Sequence, residues 1–158
     1  CYLHKTFIQN GKKAQGINAK KIYTANGMER KSCHTCGSSD TESIAVRLFD
    51  CKNTLGIAEG LETALSAAQI YNVPTWMVGN ATYLKSFIAP DSVKHLIIYA
   101  DNDRTGTGMA AAFQCGNKNI LSRNSVSKVT IRCPVDVGDF NDMLETQSDV
   151  KDWILMSK

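Results

Sequence analysis

Leu55-Gly56-Ile57-Ala58-Glu59-Gly60 and His95-Leu96-Ile97-Ile98-Tyr99-Ala100-Asp101-Asn102-Asp103 are the two stretches on which the fold turns. Each is a short apolar run that ends in acid, and a helical pattern and further segments lie between them. Buried parallel strands present ligands at their carboxyl ends, in the crevice where loops leave the sheet. Carboxylates gathered there repel one another unless a cation lies among them. Glu59, Asp101 and Asp103 therefore predict a site for divalent metal and phosphate.

On either side of these runs, strand and helix patterns alternate. Leu61, Ala64, Leu65 and Ala68 share one face of a helix predicted over 60–71, which Val73-Pro74 ends. A second strand at 75–78, a turn at Gly79-Asn80 and a short helix over 81–87 lead to a strand at 93–100. A helix over 106–116 follows, whose Ala110, Ala111 and Ala112 allow close packing on a sheet, and then a strand at 128–133. Asp139 to Asp142 opens a further helix, and residues 150–156 are expected to close the chain as another. Strands spaced by helices of this length need right-handed crossovers. The expected class is α/β, a four-stranded, mostly parallel sheet flanked by helices over 54–158.

Residues 1–53 follow another pattern and form a separate lead-in, basic and β-rich. Residues 2–9 alternate ahead of a hairpin turn at Asn10-Gly11, Ile22-Tyr23 and 45–49 are further strand candidates, and 32–43 is a polar loop. This segment holds nine Lys/Arg against four acids, whereas the remainder holds nine against eleven. A basic flank beside an acidic pocket suits a polyanion whose reacting phosphates are bridged by metal; a merely solvated basic surface is the plainer alternative.

At 158 residues the chain can bury one core with a small appendage. Its apolar runs fall far short of the roughly 20 residues that cross a bilayer, so no membrane span is expected. Cys1 in place of Met, without a basic-then-apolar leader, points to a piece of a longer protein and a cytoplasmic setting. Of six cysteines only Cys33 and Cys36 have ligand spacing, and a lone pair needs distant partners such as Cys51 or His4. Zinc is not expected.

The acids admit two chemistries. Asp101 and Asp103 are two apart, so in extended backbone both side chains point the same way, as a Mg²⁺ site requires. Gly60 would let backbone N–H groups approach a phosphate, and Arg104 lies within reach of one. Asp139 and Asp142 stand where a helix cap is also expected, and capping is the reading favoured for Asp142. Acids that only solubilise would scatter over faces rather than follow apolar strands.

Glu59-Gly60-x-x-Thr63-Ala64-Leu65-Ser66, then Ala100-Asp101-Asn102-Asp103, then Asp139-Phe140-Asn141-Asp142, resembles the Toprim domain family. More narrowly it is similar to the branch found in phage and plasmid primases and primase-helicases, over residues 55–144. Gly79-Asn80-Ala81 resembles that branch's turn after its second strand, and 3–7, 19–21 and 46–48 resemble its lead-in. The resemblance implies a Rossmann-like sheet, with Glu59, Asp101 and Asp103 as catalytic metal ligands and Asp139 as a further one. Asn141 stands where those primases often carry another acid, and Gly60, Arg104 and Asn80 would face phosphate or nucleotide.

The implied activity is metal-dependent synthesis of an RNA primer from ribonucleoside triphosphates on a single-stranded DNA template. Mg²⁺ or Mn²⁺ would serve as cofactor, clamping the triphosphate and the primer's 3′-hydroxyl. Lys12, Lys13, Lys20, Lys21 and Arg47 would hold the template backbone. The parent protein is expected to add helicase and zinc-binding modules, in a bacterium or phage-infected host. Two alternatives share the site: a nuclease or topoisomerase-like phosphodiester cutter, and a non-catalytic module that binds nucleic acid.

Overall fold

The computed structural model describes residues 6–9, 12–14, 43–122, 124–146 and 148–157. A small antiparallel sheet forms from β1 (Thr6–Gln9), β2 (Lys12–Ala14) and β3 (Ser43–Ala45), in the order β2-β1-β3. The main unit runs β4 (Thr54–Ala58), α1 (Leu61–Tyr71), β5 (Thr75–Met77), α2 (Ala81–Ser86) and β6 (His95–Tyr99). It continues with α3 (Thr107–Leu121), β7 (Lys128–Pro134), α4 (Met143–Thr146) and β8 (Val150–Met156). Its sheet has five strands in the order β5-β4-β6-β7-β8, and the first four are parallel. The strand candidate at Ile22-Tyr23, the Cys33–Cys36 pair, Lys20 and Lys21 lie outside the described residues.

The strands are apolar on both faces because helices cover both. Leu55, Ile57, Leu96, Ile98, Val129 and Ile131 face one way, packing with Leu84 and Phe87 near α2 and Ala111, Ala112 and Cys115 of α3. Ala58, Ile97 and Tyr99 face the other, against Ala64 and Ala67 of α1, Phe140 and Met143. Gly56 leaves the space that the Tyr99 ring fills, since a Cβ there would lie 2.8 Å from that ring. Tyr99 then stacks on Tyr71 and meets Phe140 edge-on, at centroid distances of 5.5 and 5.1 Å.

Four sequence expectations need correction. Residues 150–156 form a strand, not a helix, and make the sheet five-stranded. All seven residues pair antiparallel with β7, from Lys128↔Met156 to Pro134↔Val150. Trp153 and Leu155 turn into the core while Ile154 and Met156 stay exposed, the period-2 pattern of a strand. The open edge of β7 offers a row of unpaired N–H and C=O groups, and a bidentate Arg132–Asp152 pair (2.8 and 2.6 Å) fastens the two strands.

The second correction concerns α1, whose buried stripe is Thr63, Ala64, Ser66 and Ala67, with Leu65 exposed. The helix is rotated so that two hydroxyls face the loop after β7. The third concerns 45–49: β3 ends at Ala45, Val46 bridges Met77 of the edge strand β5, and the chain then turns. Trp76 drives that turn, its indole N–H donating to the Phe49 carbonyl (2.8 Å) beneath the Arg47 guanidinium. The helix expected from Asp139 onward is also short, a single turn beginning at Met143. Among the described residues, no helix is long and apolar enough to cross a membrane.

Candidate metal centre

β4 and β6 run parallel and in register, Ala58 opposite Tyr99, so their carboxyl ends stop at one level. The chain leaves β4 for β5 on one side and returns to β6 on the other, which opens a crevice between the two strand ends. Glu59 and Asp101 stand at its lip. One Asp101 oxygen, Oδ1, is buried without a hydrogen-bond partner among the described residues. Burial, then the charges of Asp139, Glu59, Asp103 and Asp142, push its carboxyl up to about 6. Five carboxylates thus share one electrostatic neighbourhood.

Asp103 has partners that Asp101 lacks. Asn102 bridges antiparallel to Gly138, and Asp103 beyond it turns its carboxylate onto the start of α3. Its Oδ1 accepts from the Thr105 hydroxyl and from the amides of Thr105 (2.8 Å) and Thr107 (3.2 Å), and its Oδ2 accepts from the Gly108 amide (2.8 Å). The Thr105 hydroxyl first, then these amides, hold the carboxyl down at about 2. Gly108 permits this closeness, since a Cβ there would meet the Asp101 carbonyl at 3.0 Å and Asp103 Oδ2 at 3.1 Å. Asp103 caps α3 while staying within the field of Asp101.

Asp139 and Asp142 cap each other's backbone. Asp139 Oδ1 accepts from the amides of Asn141 (2.7 Å) and Asp142 (3.1 Å), and Asp142 Oδ2 accepts from the Asp139 amide (3.1 Å). That leaves Asp139 Oδ2 facing α1, where the Thr63 hydroxyl donates to it at 3.4 Å. Ser66, one turn on, donates to Asn141 Oδ1 at 3.3 Å. Sequence reading gave no role to Thr63, Ser66 or Thr105. The available signal was the spacing of Thr63 and Ser66, three apart on the helix that follows Glu59.

The remaining site residues are spread around this crevice. Gly60 is the N-cap of α1 and offers no side-chain cap, so the first amides of the helix keep their donors. The Gly79 amide donates to the Glu59 carbonyl (2.9 Å), and Asn80 then caps α2, its Oδ1 accepting from the Tyr83 amide (2.9 Å). Arg104 is exposed in the turn after Asp103. Arg47 lies over Trp76, 4.9 Å from the ring centroid, with Asp50 at 3.9 Å. Lys12 and Lys13 belong to β2. A groove of about 410 Å³ lined by Ile70, Tyr71, Met143, Leu144 and Val150 holds none of these residues.

The donor set fits a hard divalent cation, because it is all oxygen and the buried Asp101 Oδ1 has no other partner among the described residues. Among the described residues, no three His, Cys, Asp or Glu side chains already close around one point. A cation of the Mg²⁺ kind would therefore rest on a few carboxylates and keep places for water and phosphate, its usual habit.

Residues 54–149 match the family model described as Toprim domain. No curated protein matches the chain. Among solved structures it is similar to the crystal structure of a DNA primase domain from Pseudomonas aeruginosa, with 14% identity and a TM-score of 0.48. That match covers 68% of this chain and 36% of the other, so the chain spans little more than a third of its length.

Proposed function

Because this chain belongs to the Toprim domain family, we propose that it is the catalytic segment of a DNA primase. In this reading it joins ribonucleotides into a primer on single-stranded DNA. One observation carries it: the buried, unpartnered Asp101 oxygen lies amid the charges of Asp139, Glu59, Asp103 and Asp142 at the ends of parallel strands.

Glu59, Asp101 and Asp139 would hold Mg²⁺ or Mn²⁺, and Asp103 would join them on leaving the α3 amides. A divalent cation so held supplies charge neutralisation on the triphosphate and acidifies the primer's 3′-hydroxyl. The chain's own groups position the reactants. Amides at Gly60 and the start of α1 bind a phosphate, Arg104 adds a guanidinium, and Asn80 fixes the loop beside Glu59. Lys12, Lys13, Lys20, Lys21 and Arg47 hold the template through its phosphates. The parent protein, of phage or plasmid type, would carry helicase and zinc-binding modules and work in the cytoplasm of a bacterium or infected host.

The test incubates the chain with single-stranded DNA, labelled ribonucleotides and Mg²⁺ or Mn²⁺. Short RNA products from the wild type, and none from an equally folded Asp101→Asn variant, are expected. Full synthesis by Asp101→Asn would sink the assignment. Shortened DNA would replace it with phosphodiester cleavage, and binding without product with a non-catalytic nucleic-acid module.

A further inference from the structure

Asn102, the residue between the two acids, reaches away from both. Its amide donates to three successive carbonyls, Pro134 (3.1 Å), Val135 (3.0 Å) and Asp136 (3.1 Å), two protons shared among three acceptors. Its backbone N–H donates to the Gly138 carbonyl (2.9 Å), and the Gly138 N–H returns a bond to its own carbonyl (3.2 Å). One residue therefore binds the whole turn that carries the chain from β7 to Asp139.

The turn's other ties come from the 148–150 segment and from the residues that follow Asp139. Val135 and Val137 are 57% and 65% exposed, so the apolar anchors stand only at its two ends, Pro134 before it and Phe140 beyond Asp139. The Val135 amide donates to the Asp149 carbonyl (2.9 Å) and the Ser148 hydroxyl donates to Asp136 Oδ2 (2.9 Å), both from the segment that leads into β8. Gly138 makes the near end specific: its φ is +148°, and a Cβ would lie 2.5 Å from Asp142 Oδ2. Asp139 is the next residue, its Cα about 3.8 Å from that of Gly138. Asn102 thus sets the approach to Asp139 from the β7 side, while Asp142 and Thr63 hold it from the other.

We propose that Asn102 is the positioning residue of the metal centre, clamping the 134–138 turn so that Asp139 is held against Asp101. The inference rests on the metal-centre reading above. It deepens that reading by making the third acid's place depend on the middle residue of the Asp101-Asn102-Asp103 run. Asn102 touches no reactant; it acts through Asp139.

Two measurements test this on the full chain. In the metal-free protein, Asn102→Ala should speed amide hydrogen exchange at Gly138 at least about tenfold, as an opened clamp requires. Mn²⁺ binding, followed by the electron paramagnetic resonance of free Mn²⁺, should weaken about tenfold to a hundredfold, the usual cost of losing an orienting partner. Asn119→Ala serves as the structural control. Asn119 is a buried residue whose amide ties α3 to the Phe87 and Ala89 backbone, and its loss should lower stability yet leave Mn²⁺ affinity unchanged. Should Asn102→Ala fail to fold, Asn102→Ser keeps one donor and should give an intermediate loss.

Wild-type affinity in Asn102→Ala beside lost affinity in Asp101→Asn overturns the role of Asn102 alone. So does unchanged exchange at Gly138, or an equal loss in Asn119→Ala. No Mn²⁺ binding by the wild type overturns the metal centre and the positioning role with it.

Discussion

Asp101 and Asp103 are chemically identical side chains two residues apart, and the fold treats them oppositely. Asp101 is half-buried with one oxygen unsatisfied, and its carboxyl is pushed up to about 6. Asp103 is saturated by a hydroxyl and three amides, and is held down at about 2. A raised folded pKa means that the folded state binds the proton more tightly. The contribution of Asp101 to stability is thus fully present below about pH 4 and lost as pH rises through about 6. Metal-free Asp101→Asn should accordingly be more stable than wild type at pH 7.5, by about 1 kcal/mol once solvent screening is allowed for. The advantage should vanish toward pH 4, read from urea unfolding at the two pH values. Asp103 has the opposite sign: its stabilising contribution is present above about pH 4 and lost as pH falls through about 2.

At the scale of elements, β8 is the piece whose identity was decided elsewhere. Val150-Lys151-Asp152-Trp153-Ile154-Leu155-Met156 has no helix-breaking residue and mixes apolar with charged positions, so its periodicity admits helix or strand. The free edge of β7 selects the strand, and Trp153 meets Phe113 of α3 edge-on at 5.8 Å. This alternation gives a sharp contrast. Trp153→Ala should cost about 2–3 kcal/mol in urea unfolding, because it removes a packed ring from the sheet–helix layer. Ile154→Ala, one residue on and 58% exposed, should stay within about 0.5 kcal/mol. Comparable losses at both positions would contradict the strand's facing.

Across the whole molecule, one sheet brings together acids that the chain keeps far apart. Glu59 and Asp139 are 80 positions apart in sequence, yet both act on Asp101. Such a cluster is strained until its charge is shared. A ligand that binds only the folded state stabilises it by about 2.7 kcal/mol at a hundred times its Kd. Saturating Mn²⁺ should therefore raise the thermal midpoint of the wild type by several degrees, and should leave Asp101→Asn within about one degree of its metal-free value. An equal rise in both proteins would place the ion elsewhere.

Much of this was legible in the residues themselves. Apolar runs bounded by glycine and acid specified β4 and β6, and the helix patterns between them implied parallel crossovers, because burial on both faces demands continuous apolar sequence. The same runs marked Glu59 and Asp101 as neighbours at strand ends. Local sequence could not say that β8 would be a strand, since its partner lies 16 to 28 residues upstream and pairing, not propensity, decided it. Nor could it say that Asp103 would turn onto α3, that α1 would present Thr63 and Ser66 to the acids, or that Asn102 would grip the turn before Asp139. Those outcomes depend on which buried polar groups remain to be satisfied once the layers have packed. The parallel core strands, the helices between them and the acids at their ends follow from local pattern; the pairing of β8 and the partners of each carboxylate follow from packing, because hydrogen bonds between distant segments set them.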